Sequence, residues 1–352
     1  MNIRINILLL IASIFAAFSC SKNEEAPVLP EGGEEIKFSN VATKAVNGIE
    51  DIEQIGVWAA MTKDGETSDY ISLLDNERVY PTDEAHTNWV YDNTRYWFEN
   101  YHFYFIASYP YNQDGSGIGS FQKLEEVYDQ TKITYYSLDV DTYDESTFNH
   151  TGVDILTASA YVNTSSEWSK TVTLNMHHLL TKVNFKISQD MREGVGDPIN
   201  DYYITKVALS GISTNGEYII LPNDNQIIQN WSYDDANNYS YERAYDGSKT
   251  LRSLGEISVW SDNGEGGLLL IPQKIPNDKV KIRVEYLYQL AESTEQKPGY
   301  VEAYLPATDD LWQSGKRITY RLAIAKPTNI RFLTPTVESW GAPQTGGTII
   351  IK

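Results

Sequence analysis

The chain has 352 residues, with 28 Lys and Arg against 48 Asp and Glu for a net charge of −20, and one cysteine. So acidic a surface repels nucleic acid and anionic bilayers, and a lone thiol excludes an internal disulfide or a thiolate metal cluster. The length exceeds what one core usually serves, and 25 Tyr beside only 4 Met favours strands over helices, so two β-rich domains are expected.

Residues 1–19 read as a secretory signal. Arg4 is the one positive charge, Ile7 to Phe18 is an apolar run, and the small Ser19 stands just before Cys20. The run is shorter than the roughly 20 residues a membrane-spanning helix needs. Cleavage would leave Cys20 as the first residue, and the segment resembles the bacterial lipobox, in which that cysteine carries a diacylglycerol and an N-acyl chain such as palmitate. Ala17 occupies the place where the usual lipobox has Leu. Acyl chains contribute about 0.8 kcal/mol per buried methylene, so several of them anchor a protein with no spanning helix. Residues 20–34, acidic and Pro/Gly-bearing, read as a flexible tether. An acidic stretch at this place also resembles the surface-export signal of Bacteroidetes lipoproteins, which implies an outer-membrane lipoprotein facing the cell surface.

Strand patterns fill the rest. YHFYFIASYPY (101–111), KITYYSLDV (132–140), KTVTLNM (170–176), KVNFKIS (182–188), YYITKVALSGI (202–212), KVKIRVEYLYQL (279–290), YVEAYLP (300–306) and RITYRLAI (317–324) alternate or run apolar between Gly, Asn, Asp and Pro. In KVKIRVEYLY, Val280, Ile282, Val284, Tyr286 and Tyr288 share one face, opposite Lys281, Arg283 and Glu285. The one short helical piece is expected near LEEVYDQ (124–130). Antiparallel β-sandwiches follow, with domains over 35–190 and 197–352 divided in the turn-rich SQDMREGVGDPIND (188–201).

Several of these segments carry a resemblance. EIKFSNVATKA and IGVWAA near the start, then FYFIASYPY, then DILTASA leading into VTLNMHHLLTKVNFKI, and finally GGLLLIPQ, WQSGKRITYRLAI and TVESWG, are similar in order and spacing to the fimbrillin family of Bacteroidetes. The resemblance implies an all-β chain of two tandem transthyretin-like β-sandwich domains, a structural or adhesive role in a fimbria, and no catalysis. It further implies removal of the first strand by a trypsin-like protease and its replacement by a strand of the next subunit. Physically, a groove of unpaired backbone groups and apolar pockets is satisfied by an added strand. Ile36 and Phe38 then belong to the removable strand, and Lys44 is the processing residue, where the best-known members have Arg. In the alternative, Lys44 is a solvated loop residue and the protein stays tethered. Ile349, Ile350 and Ile351, after Gly346 and Gly347, read either as donor strand or as the closing strand of the C-terminal sandwich. Residues 330–340 are expected to join them if donation occurs.

Partners on this reading are other fimbrillin subunits, the outer membrane through the lipid, and a glycan or host-surface ligand. No cofactor and no metal are expected. Neighbouring His177 and His178 point to opposite faces of a strand and cannot share a metal unaided. DVDTYDE (139–145) begins like a calcium loop but has Tyr143 at a ligand place and Asp144 where the turn needs Gly. GSGIGS (115–120) lacks the third glycine of a dinucleotide loop. The rival reading is a non-polymerising surface lipoprotein that stacks sugars on exposed aromatics. NWSYDDANNYSYERAY (230–245), too polar and irregular for a strand, supplies Trp231, Tyr233, Tyr239 and Tyr241 as its adhesive surface.

Overall fold

The computed structural model describes residues 33–39, 52–66, 70–84, 86, 88–111, 120–128, 131–141, 143–144, 149–150, 154–190, 199–223, 226–233, 239–248, 250–260, 266–290, 293–307, 312–326 and 329–339. The first strands are β1 Lys37–Ser39, β2 Ile55–Lys63, β3 Ile71–Pro81, β4 Trp89–Tyr91, β5 Tyr101–Tyr109, β6 Ser120–Tyr128, β7 Thr131–Asp141, β8 Tyr143–Asp144 and β9 Asn149–His150. Next come β10 Leu156–Asn163, β11 Thr171–Thr173, β12 His177–His178, β13 Thr181–Gln189, β14 Ile199–Ile212, β15 Asn215–Asn223, β16 Gln226–Tyr233 and β17 Tyr239–Ala244. A four-residue helix, α1 Leu251–Leu254, precedes β18 Glu256–Ser258, β19 Leu268–Leu270, β20 Lys281–Leu290, β21 Gln296–Tyr304, β22 Lys316–Lys326 and β23 Asn329–Ser339.

The chain is thus nearly all-β. The largest sheet runs β11-β1-β4-β3-β2-β5-β10-β12, a second β18-β13-β22-β23 with β19 also on β13, a third β17-β14-β20-β21 and a fourth β16-β15-β7-β6. Pairing is antiparallel except for β1 with β11 and β13 with β22. Among the described residues no helix is long and apolar enough to cross a membrane.

Three clusters of buried side chains explain the sequence patterns. The first draws on residues 36–176, including Val57, Ala59 and Met61 of β2 and Phe103, Phe105 and Ala107 of β5. The second draws on residues 183–324. The third joins Trp58 and Ile106, on the opposite face of β2 and β5, to Tyr218 and Ile220 of β15 and Leu269 and Ile271. β2 and β5 are therefore buried on both faces, which is why they read as continuous apolar runs rather than alternations. β20, with one face in the second core, alternates as its sequence says: Ile282, Val284 and Tyr286 are buried and Lys281, Arg283 and Glu285 are half-exposed.

Two expectations need correction. LEEVYDQ is no helix: through Tyr128 it lies in β6, with Leu124 opposite Tyr135 and Val127 opposite Lys132 of β7. Its weak helical preference is overridden by a neighbour rich in β-branched and aromatic residues. The stretch 230–245 is no irregular loop either, since it contains the end of β16 and all of β17. Ser240 and Glu242 fall on one face of β17, while Tyr241 is fully buried on the other, which it shares with the half-buried Arg243. β13, on the N-terminal side of the expected boundary at 190, pairs with β22 and places Val183, Phe185 and Ile187 in the second core. The hairpins β6–β7 and β15–β16, about eighty residues apart in sequence, meet edge to edge with Gly216 opposite Val140 and Ile220 opposite Tyr136.

Candidate functional site: the first strand and its slot

β1 lies between β11 and β4. Lys37, Phe38 and Ser39 align in parallel with Thr171, Val172 and Thr173, and Phe38 stands antiparallel to Trp89. Ile36 is 0% and Phe38 3% exposed, so the two alternate residues both enter the first core. The Phe38 ring meets Tyr91 edge-on at 5.4 Å and Phe105 at 6.0 Å, distances typical of attractive aromatic pairs. Ile36 N–H donates to the Arg95 carbonyl at 2.8 Å, and the Tyr91 hydroxyl donates to the Ile36 carbonyl at 2.8 Å. Arg95 N–H in turn donates to the Tyr91 oxygen at 3.1 Å. Burial pushes the Tyr91 phenol up to about 12, so it remains a donor at any physiological pH.

Two large side chains sunk in a core contribute about 1.5–3 kcal/mol each. A three-residue strand adds few backbone bonds. The anchor is therefore mostly side chains in pockets, the part of strand addition that gives it specificity. The walls of the slot have supports of their own: β4 pairs with β3 over Val79–Tyr91 to Pro81–Trp89, and Trp97 Nε1 donates to the Lys170 carbonyl at 3.2 Å beside β11. Val172, Leu174 and Met176 after it are buried. Removing β1 would leave two facing edges with unpaired backbone groups and a pocket against Tyr91 and Phe105.

Cys20, Lys44, Ile349, Ile350 and Ile351 lie outside the described residues. Residues 329–339 form β23, antiparallel to β22, with Ile330, Phe332 and Val337 packed against the second core. Trp231 and Tyr233 are half-buried against the third core, where the Trp231 ring meets Tyr218 at a tilt of 51° with centroids 5.2 Å apart and Tyr233 accepts from Lys274 N–H at 3.1 Å. Tyr239 begins β17. Tyr241 is 0% exposed and presents no face to solvent. His177 is exposed and His178 buried, with His178 Nδ1 at 2.7 Å from Asp154 Oδ2. Among the described residues no group of three His, Cys, Asp or Glu is placed to hold a metal.

The exposed aromatics stand elsewhere. Tyr300 and Tyr304 of β21 are turned outward, opposite Glu285 and Lys281 of β20. The signal was in the sequence: in YVEAY, Val301 and Ala303 share one parity and Tyr300, Glu302 and Tyr304 the other, so the tyrosines ride with the charged residue.

Known proteins similar to this chain include one family and several solved structures. A family profile described as Fimbrillin-like matches residues 43–340. No curated protein matches the chain. Among solved structures, a fimbrial protein from Bacteroides vulgatus is similar at 15% identity and a TM-score of 0.53, over 87% of this chain and 99% of that one. A candidate cell adhesion protein from Bacteroides uniformis is similar at 16% identity and a TM-score of 0.40, over 88% of this chain and 98% of that one. Another from Bacteroides ovatus shows 18% identity and a TM-score of 0.41, over 88% and 97%.

Proposed function

We infer the role of this chain from the fact that it belongs to the fimbrillin-like family, a family of non-enzymatic structural proteins of the cell surface. It is a fimbrial or cell-adhesion protein. In our reading it is exported as a lipoprotein on Cys20, held at the outer membrane facing outward, and built into a fimbria by strand exchange. The two cores drawn from residues 36–176 and 183–324 support two tandem transthyretin-like sandwiches. One observation carries the assembly reading: β1 occupies a slot between β4 and β11 and plugs it with Ile36 and Phe38. A cut after Lys44 would separate that plug from the rest of the chain, and a strand from the next subunit would take its place. Ile349, Ile350 and Ile351 are the proposed donors, whose alternate side chains suit pockets shaped for Ile and Phe.

The test is limited trypsin treatment of a soluble precursor that lacks residues 1–20, with the new N-terminus read by mass spectrometry and the assembly state by gel filtration. A single early cut after Lys44 followed by ladders of oligomers is expected. Cutting there with the protein still monomeric would reject strand exchange and leave an anchor, a tip or a glycan-binding lipoprotein.

A further inference from the structure

Edge strand β21 turns Val301, 2% exposed, into the second core, and so turns Tyr300, Glu302 and Tyr304 outward. Tyr300 is 51% and Tyr304 48% exposed, more than any other buried-type aromatic or large aliphatic side chain among the described residues. Four positions along one strand separate their backbones by about 13 Å. Between and beside them lies a set of ion pairs on the same face. Lys281 meets Glu302 at 3.4 Å, and Arg283 meets Glu285 at 2.9 Å and Glu302 at 3.4 Å. Lys206 meets Glu242 at 3.4 Å and Glu285 at 3.9 Å. The Arg283 guanidinium sits 3.9 Å from the Tyr300 ring centroid and holds that ring by one face.

Three cations and three carboxylates cancel here, on a chain whose net charge is −20. The patch is thus locally neutral, dense in hydrogen-bonding groups held rigidly by one another, and flanked by two rings. We propose that this face, centred on Tyr300, Glu302, Tyr304, Lys281 and Arg283, binds an uncharged oligosaccharide. The apolar C–H faces of its sugar rings stack on the tyrosines, and its hydroxyls take hydrogen bonds from the Lys and Arg and give them to the Glu. A protein partner fits less well, because the centre of a protein interface is depleted of charge and apolar, whereas here the charges occupy the centre. A polyanion would meet the repulsion of the whole molecule without a local excess of cations to offset it. The proposal rests on the adhesive part of the reading above and is independent of assembly.

The experiment uses the uncleaved, monomeric precursor without residues 1–20. It is run through native gels that contain mannan, starch, xyloglucan or galactomannan, with heparin as the anionic comparison. Hexaose fragments of whichever polysaccharide retards it are then titrated by calorimetry. Retardation by at least one neutral polysaccharide is expected. Tyr300→Ala and Tyr304→Ala should each weaken the titrated affinity about 3- to 10-fold, the worth of one aromatic stacking contact. Tyr304→Phe, which keeps the ring, should stay close to wild type, as should Leu254→Ala, a change at an exposed residue of α1. The tyrosines are half-exposed and outside the cores, so the variants should stay folded with a thermal transition close to wild type, and that is measured alongside. No retardation by any neutral polymer, retardation by heparin alone, or undiminished binding in the double alanine variant would overturn the proposal. So would a wild-type self-association abolished by the double variant, which would assign the face to a second copy of the chain. Because no cleavage takes place, this outcome is separate from that of the trypsin test.

Discussion

Tyr320 shows how a polar group is kept in the second core. Its ring stacks on Phe185 at 5.1 Å, and its hydroxyl oxygen accepts from Trp312 Nε1–H at 3.0 Å, both partners being buried. Replacing it by Phe leaves the indole N–H without that acceptor, at a cost of about 1–3 kcal/mol in urea unfolding. A second readout separates burial from bonding. Burial pushes the Tyr320 phenol from 10.0 up to about 12, the Trp312 bond only moderating the rise. The unfolded chain therefore releases this proton first. The stability that goes with it is complete below pH 10 and is lost as the pH climbs toward 12. Tyr320→Phe should be the less stable protein at neutral pH and should lose less of its stability between those limits. Parallel alkaline curves for the two proteins would count against the burial argument.

At the scale of elements, the bulge in β14 depends on one residue. Pairing with β17 slips between Ser210 and Ile212, and the residue between them, Gly211, has φ +84° with the Lys279 carbonyl oxygen 2.1 Å from where a Cβ would stand. Gly211→Ala incurs about 1–3 kcal/mol from the backbone alone, and the clash with main chain adds to it. Gly65, at φ +83° with open space around it, would suffer the first cost only. The urea midpoint should therefore fall further for Gly211→Ala than for Gly65→Ala, and equal shifts would refute the close approach.

The sequence made such strands easier to find than to arrange. β20 and β13 were legible because burial on one face imposes period two or an apolar run on the residues themselves. β6 was not, because what makes LEEVY a strand is β7 beside it, and β16 and β17 were hidden because polar residues occur at both parities, Gln229 beside Asn230 and Glu242 beside Arg243, and blur the alternation. The inward pointing of Ile36 and Phe38 could be read from alternation. That β1 would lie parallel to β11, some 130 residues on, could not, since the partner of a three-residue strand is chosen by tertiary packing. Tyr241 shows the converse: a tyrosine among Asn, Ser and Glu looks like surface, yet sheet parity takes it fully inside.

At the scale of the molecule, the third core decides how the two larger ones behave. Trp58 is 4% and Ile106 0% exposed because Tyr218 and Ile220 cover the outer face of β2 and β5. Parted from each other, residues 33–178 and 179–339 would each expose part of that cluster, and the β7–β15 pairing would be lost. The described chain should consequently unfold in one cooperative transition, with calorimetric and van't Hoff enthalpies in agreement. Two resolved transitions would mean that the third core does not couple the others.

The slot of β1 has a mechanical corollary. Sheet hydrogen bonds run across the strands, and β1 is bonded on both sides, to β4 and to β11. A pull along the axis of whatever strand fills that slot loads the two ladders in shear, so they must fail together, where a pull across the sheet would peel them one bond at a time. Resistance to tension at a joint of this kind is set by its rate of rupture rather than by its equilibrium affinity. A fibre joined in this way would hold under flow far longer than so short a strand suggests.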